Sequence, residues 1–525
     1  MKNKSLIFIG AGATAQIMGA TEELNRIIYS LFSSKTEDFY ENSFEDDHNK
    51  GFNTLLKLLD PAKMDSEIER KASEYASIYD LNPEELKFSL RGLSSIYDYE
   101  CLSHLVSITA NQTEKKVDLM LLYSTIDLLI KDQGGLQAEA KFFDLTRIRK
   151  ARSLLNVVIH TILMCQTANA IKSPQKTIPY LSFVNELVEY TRLESIELGK
   201  KHSGDFTDPD FVNFGYSVVS FNWEPLILGM IFKAHKDFNH SGMTPYLGNN
   251  CLRLRLFNDF GLTIGSLRKD NKNDVGKVWY QGHESIAIRV NDSEYPSRLM
   301  RVGKFLFPHG SLAFRMCPVC RKTNFVVRGI DNLLNYFGPG ILPEFNDFYS
   351  QGLLTEAESK SFKRGHFDAL ECYCCKNIMR MVDTPLIMQT AFKDKYPPIL
   401  EESLYELTVQ LIKANHLLFI GYKCSEDDVV YRSKILAAIA NSKDKKVSVV
   451  LFDRALQDQN WFEREELKQK LESPLVNSET KKLIQNFLDL FQSEDIKIRI
   501  SFKGFPQVVT EGSSPQRGLK QLLEY

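Results

Sequence analysis

The 525-residue chain lacks a charge surplus of either sign, since 65 Lys and Arg stand against 67 Asp and Glu, a formal net charge of −2. With no positive excess to neutralise phosphates, dedicated binding to nucleic acid or to an anionic membrane surface has no global support, and only a local basic patch is compatible with either. Long apolar runs are missing too. The longest, Leu154 to Cys165, has 12 residues, is interrupted by Asn156, His160 and Thr161, and would span only about 18 Å as helix. It is expected to be a buried core helix. The basic start Met1-Lys2-Asn3-Lys4 is followed by five residues, Ser5 to Ile9, before Gly10; a first strand is expected there in place of a signal peptide. A disulfide framework is excluded as well: the nine cysteines are odd in number, and Cys317, Cys320, Cys372, Cys374 and Cys375 crowd into two clusters. That pattern points to a metal and to a reducing, cytoplasmic compartment. No internal repeat is found, and 43% hydrophobic with 25% charged residues is ordinary globular composition.

At roughly 150 residues per domain, the length predicts two or three modules. Residues 5–9 read as a strand, Gly10-Ala11-Gly12-Ala13-Thr14-Ala15 as a glycine turn, and the stretch through Ile28 as helix. The acidic segment 33–50 marks a boundary. From about 51 to 205 the apolar residues recur at helical spacing, with no strand expected. Gly215 to Asn222 then looks like a buried strand, with shorter ones at 251–257, 285–290 and 304–307. Residues 417–421 and 447–453 are apolar strands of the kind found in a doubly wound parallel sheet. Residues 496–502 alternate as an edge strand does, and 515–525 are predicted to close as helix.

Several constellations could carry chemistry. Gly10 to Ala15 fits the relaxed G-x-G-x-x-G/A fingerprint, in which small residues let backbone approach a pyrophosphate at a helix N-terminus; an ordinary tight βα turn explains it equally well. Cys317-x-x-Cys320 and Cys372-x-x-Cys375 supply four soft thiolates suited to a closed tetrahedral zinc site, structural because no ligand position stays open. Cys374 is an alternative fourth ligand at poorer spacing. Asn222 ends its strand at the edge where α/β sheets place ligand contacts, although an Asn there is commonly a turn residue. His309, between Pro308 and Gly310 just before the first cysteine pair, is the candidate proton carrier. Gly421-Tyr422-Lys423-Cys424-Ser425 leading to Asp428 reads either as a helix cap or as a second turn lining the same nucleotide.

In this order, the pieces resemble the sirtuin superfamily, and within it the bacterial sirtuin-like NAD-hydrolase domains of antiphage defence. The likeness covers residues 1–30 and roughly 211–455. It implies a Rossmann-like α/β domain split over 1–30, 211–316 and 376–525, a helical insertion module over 31–210 and a zinc-knuckle module over 317–375. It also implies an NAD+ glycohydrolase that releases nicotinamide and ADP-ribose. Asn222 would position water or the nicotinamide ribose, His309 would act as base, and Gly10, Ala11, Gly12 and Thr14 would hold the diphosphate. Gly421, Ser425, Asp428 and Asp453 would line the adenosine half, and Lys423 would supply a phosphate contact as a point charge. NAD+ would be substrate and zinc structural, in a homo-oligomer restrained until a phage-derived trigger or partner ATPase acts on it.

The pattern also departs from the family. The usual Asn-x-Asp is Asn222-Trp223-Glu224, Lys423 replaces a small hydroxyl residue, and the arginine-bearing loop of the deacylases is missing after Thr14. Gln389 to Lys393 lacks the Phe-Gly-Glu strand that pairs with an acyl-lysine peptide. An NAD-dependent deacylase and a catalytically silent module that binds a partner ATPase are therefore the competing readings, with a Rossmann oxidoreductase behind them.

Overall fold

The computed structural model describes residues 4–19, 21–33, 46–138, 141–201, 209–240, 246–247, 250–256, 262–267, 277–278, 298–328, 337–345, 348–386, 397–425, 428–440, 445–457, 459–510 and 515–525. The strand expected at 285–290, most of the acidic segment 33–50 and the segment 389–393 lie outside the described residues.

The chain is an α/β protein built on one sheet. Its strands are β1 (Ser5–Ile9), β2 (Asn213–Ser220), β3 (Tyr246–Leu247), β4 (Asn250–Leu256), β5 (Arg298–Leu306), β6 (His416–Ile420), β7 (Lys446–Val450), β8 (Phe462–Glu463) and β9 (Lys497–Ser501), in spatial order β8-β9-β7-β6-β1-β2-β5-β4-β3. The seven inner strands run parallel, and the short β3 and β8 pair antiparallel at the edges. A parallel sheet must be covered on both faces, which is why β1 and β6 are buried at every position. Alternate residues of β6 show the two layers. The His416 ring meets the Leu523 carbonyl of helix Pro515–Glu524 at 3.0 Å, while Phe419, pointing the other way, packs edge-on against Phe487 of helix Ser478–Leu490 at 5.5 Å. Because the chain leaves β1 toward β2 on one side and β6 lies on the other, the strand order reverses between β1 and β6. Open α/β sheets place their ligand crevice at such a point.

The helical stretch does not pack as one unit. Helix α1 (Ala11–Met18) follows β1, and α2 (Leu145–Ile171) is the long apolar helix of the insertion. Helix α3 (Pro174–Lys201) instead buries Tyr180, Phe183, Val184, Leu187 and Val188 in the core of the sheet. The module expected over 31–210 thus surrenders its last helix to the α/β layer. Two short hairpins, Ala110–Asn111 with Lys116–Val117 and Leu136–Ala138 with Lys141–Phe143, also interrupt its helices. A second core joins the inserted helices to Phe337, Ile341, Leu342, Phe345, Phe362 and Phe367 from the stretch between the cysteine pairs. The boundaries expected for the cysteine module, 317–375, shift accordingly. A small sheet of Lys277–Val278, Leu262–Leu267, Thr323–Arg328 and Phe314–Met316 carries the first pair, so strands upstream of 317 belong to it. Helix α2 is the one described helix long and apolar enough to cross a membrane, and 83% of its most apolar window is buried inside the protein.

Candidate functional site

The two turns at the strand-order reversal are in direct backbone contact. Gly10 N donates to the Ile420 carbonyl and Gly12 N to the Gly421 carbonyl, each at 3.0 Å. A Cβ on Gly10 would lie 2.6 Å from Tyr422 Cα, and one on Gly421, whose φ is +59°, would lie 2.0 Å from Ala13 N. The glycines are thus required first by the approach of one turn to the other. The Gly12 N–H, which the fingerprint assigns to a phosphate, is already bonded to protein.

Beside this contact, three side chains from two elements form a closed triangle. Thr14, buried in the first turns of α1, donates its hydroxyl to Glu224 Oε1 at 2.9 Å. Asn222, two residues past β2, donates Nδ2 to the same oxygen at 2.9 Å and to Thr14 Oγ1 at 3.2 Å. The other carboxylate oxygen accepts from Leu226 N at 2.6 Å, which fixes the start of the helix Leu226–His240. With its NH2 group held, Asn222 keeps a buried Oδ1 that accepts no hydrogen bond from the described residues. Such an acceptor costs about 1–3 kcal/mol unless a ligand or water fills it.

His309 approaches from the loop after β5. Its ring packs edge-on against Phe221 and Tyr431, with centroids 5.0 and 5.1 Å away, and the Tyr431 hydroxyl donates to the Pro308 carbonyl. Its Nε2 lies 4.0 Å from Asp428 Oδ1, whose partner oxygen accepts the Tyr422 hydroxyl at 2.8 Å. Thr14, Asn222, Glu224 and His309 all line one cavity of about 90 Å³. Leu119, Leu163 and Gln166 of the inserted helices form part of its wall. A larger cleft of about 1190 Å³ opens within the insertion near Tyr29, Tyr99 and Phe143, and it holds none of the candidate residues.

Other expected ligand residues are not brought to this cavity. Lys423 is exposed and pairs with Glu479 at 2.7 Å. Asp453 caps local structure: its carboxylate accepts from Ala455 N, Asn477 Nδ2 and Thr480 Oγ1. Ser425 is exposed, and its carbonyl accepts from Asp428 N. Sequence reasoning treated Glu224 only as a departure from a motif, yet its carboxylate organises the triangle. It did not single out Gln166, since one amide in a long helical stretch carries no signal of its own.

Burial pushes Glu224 up from the ordinary 4.5 to about 7, against the donors Leu226 N, Thr14 and Asn222 that favour the anion. A carboxyl raised in the fold binds its proton more tightly folded than unfolded. Its effect is therefore most favourable below pH 4.5, and stability falls as pH rises through 7, by about 3 kcal/mol at most. Buried His235 and His416, pushed down to about 3 and about 4, act in the opposite sense at lower pH. The readout is consequently the difference between parent and Glu224→Gln. The variant's thermal midpoint is expected to fall less steeply than the parent's between pH 5 and 8, and parallel curves would contradict the burial argument.

The four cysteines also converge. The Sγ atoms of Cys317, Cys320, Cys372 and Cys375 all lie within 4.8 Å of one another, Cys317 to Cys375 at 3.5 Å and Cys320 to Cys372 at 3.7 Å. Four ligands 2.3 Å from a tetrahedral zinc sit about 3.8 Å apart, so the set suits a metal ion such as zinc. Asn324 Nδ2 and Asn377 Nδ2 reach Cys372 and Cys375 sulfurs at 3.5 and 3.3 Å, placing donors where thiolate charge would be held. Cys374 is exposed and stands outside the cluster. Neither a family model nor a curated protein matches the chain.

Proposed function

We propose that the chain is a sirtuin-like NAD+ glycohydrolase on a Rossmann-like sheet, cleaving NAD+ to nicotinamide and ADP-ribose. The observation that carries this reading is the shared cavity beyond the ends of β1, β2 and β5, lined by His309 and by Asn222 with its unfilled buried acceptor. In the reaction, the bond from the ribose anomeric carbon to the nicotinamide nitrogen breaks and its electron pair leaves with neutral nicotinamide. Water supplies the new C–O bond and loses a proton. Asn222 Oδ1 accepts a hydrogen bond from that water and so aims it. His309, whose Nε2 lies 4.0 Å from the Asp428 carboxylate, takes up the proton that the water loses, relayed through the ribose hydroxyl. This chemistry rests on positioning and charge placement, which a rigid polar pocket supplies.

Zinc on Cys317, Cys320, Cys372 and Cys375 would be structural, holding the small sheet to the hairpin Leu370–Glu371 and Ile378–Met379. The expected result is one zinc per chain by elemental analysis, lost in Cys317→Ser together with several degrees of thermal stability. Unchanged zinc in that variant would move the ligand set elsewhere. An antiphage effector acting as a homo-oligomer, held back until a trigger or partner ATPase engages it, fits an enzyme whose unrestrained activity would empty the cell of NAD+.

A second reading, the silent nucleotide-binding module, is favoured by two observations. The Gly12 N–H is already bonded to Gly421, and the cavity of about 90 Å³ takes a carboxamide with part of its ring and not the length of a dinucleotide. The deciding experiment incubates purified protein with NAD+, with and without an acetylated peptide, and separates the products by chromatography. Nicotinamide and ADP-ribose without peptide support hydrolysis. Peptide-dependent turnover makes the protein a deacylase, and binding without turnover makes it silent.

A further inference from the structure

The inserted helices do more than stand beside the site. Helix α2 runs along α1, with Thr167 Oγ1 donating to Met18 Sδ at 3.3 Å and to the Leu163 carbonyl at 2.8 Å. The neighbouring Gln166 lines the same cavity as Asn222, Glu224 and His309. The Gln166 side chain is half-buried and makes no hydrogen bond to the described residues. An amide left in that state on a cavity wall has one acceptor and two donors to offer.

The lining has a distinct chemical bias. Met18, Leu24, Leu119, Leu163 and Phe221 are apolar, while the polar groups are an amide, a hydroxyl, a carboxylate, an imidazole and Gln166 itself. No Lys or Arg is among the lining residues. A volume of about 90 Å³ is below the ~150 Å³ that takes up benzene, so it suits an amide group with part of an aromatic ring. A primary carboxamide can pair head to head with Gln166, giving an N–H and taking one. A carboxylate of the same shape brings only acceptors and a negative charge, close to the buried Glu224, with no Lys or Arg among the lining residues to offset it.

We propose that Gln166 reads the carboxamide of the leaving group, so that this site accepts aryl carboxamides and rejects aryl carboxylates. The inference rests on the NAD+ reading of the cavity and adds a specificity determinant that comes from the insertion. It separates NAD+ from its nicotinic-acid counterpart by a group that takes no part in bond breaking.

The test is direct binding of nicotinamide and of nicotinic acid to the purified full-length protein, followed by ligand-observed NMR or calorimetry. Nicotinamide is expected to bind at least tenfold more tightly than nicotinic acid. Gln166→Ala and Gln166→Leu are expected to weaken nicotinamide tenfold or so, to leave nicotinic acid nearly unchanged, and to keep the parental thermal midpoint. Equal binding of the two ligands, no binding of either, or a ratio unaltered in both variants overturns the proposal. Turnover of NAD+ and of the nicotinic-acid dinucleotide is measured alongside. Equal hydrolysis of both removes Gln166 as the determinant while the glycohydrolase stands. Absent hydrolysis with selective nicotinamide binding removes the glycohydrolase while the carboxamide site stands.

Discussion

His309→Ala is expected to fold as the parent does and to release no measurable nicotinamide from NAD+. The ring is 13% exposed and touches two aromatic neighbours, Phe221 and Tyr431, so truncation leaves a gap at the rim of the cavity. The cost is about 1–2 kcal/mol, small for a chain with two large cores. The chemical loss is far larger, because removing a positioned proton acceptor typically lowers a rate by 10²- to 10⁴-fold. His309→Gln refills the space without a group that titrates near neutral pH, and it is expected to restore stability and not turnover. Circular dichroism and thermal unfolding establish the fold, and chromatography of the products measures the rate. Parental turnover in either variant would take His309 out of the reaction.

Gly421→Ala is expected to produce the largest loss of stability of any single methyl group added at the described glycines of this site. At φ +59° an L residue is strained by about 1–2 kcal/mol. The added Cβ would also stand 2.0 Å from Ala13 N and 2.3 Å from Gly12 C, which are backbone atoms that cannot rotate away. Relief requires the turn after β6 to part from the turn after β1, breaking the bond from Gly12 N to the Gly421 carbonyl. A drop of several degrees in thermal midpoint is expected, with loss of activity, since α1 carries Thr14. Gly92→Ala is the matched control. It lies inside helix Pro83–Ile96, meets nothing within 4 Å, and should stabilise by about 0.5–1 kcal/mol. If the two substitutions behave alike, the contact between the turns carries no weight.

Much of the sheet was legible because buried parallel strands leave a short, dense apolar record. Residues 5–9, 417–421 and 447–453 stand out on composition alone and overlap β1, β6 and β7, and the alternation at 496–502 marks β9, which is not the expected edge because β8 pairs outside it. The helix at the end of the chain, Pro515–Glu524, was equally plain. Asn222 and His309 were found through their place after strands, and the structure brings them to one cavity. What the sequence hid is which surface a helix covers. Helix α3 and helix α2 share the same 3.6-residue record, yet Phe183 and Leu187 face the sheet while Leu154 and Val158 face the second core. Short-range capping hid the rest: Asp453 has the look of a ligand residue and instead holds the first turn of helix Ser478–Leu490 through Asn477 and Thr480.

The second core has a mechanical consequence. Trp223 and Leu312 belong to it, and the Leu312 N–H donates to the Trp223 carbonyl at 2.8 Å. One residue before Trp223 is Asn222, and three before Leu312 is His309. The inserted helices therefore grip the two strand-end loops by adjoining links of the chain, as a handle grips both jaws of a pair of pliers. A force that tilts the insertion cannot leave the spacing of those jaws untouched, so the distance between Asn222 and His309 is set from outside the sheet.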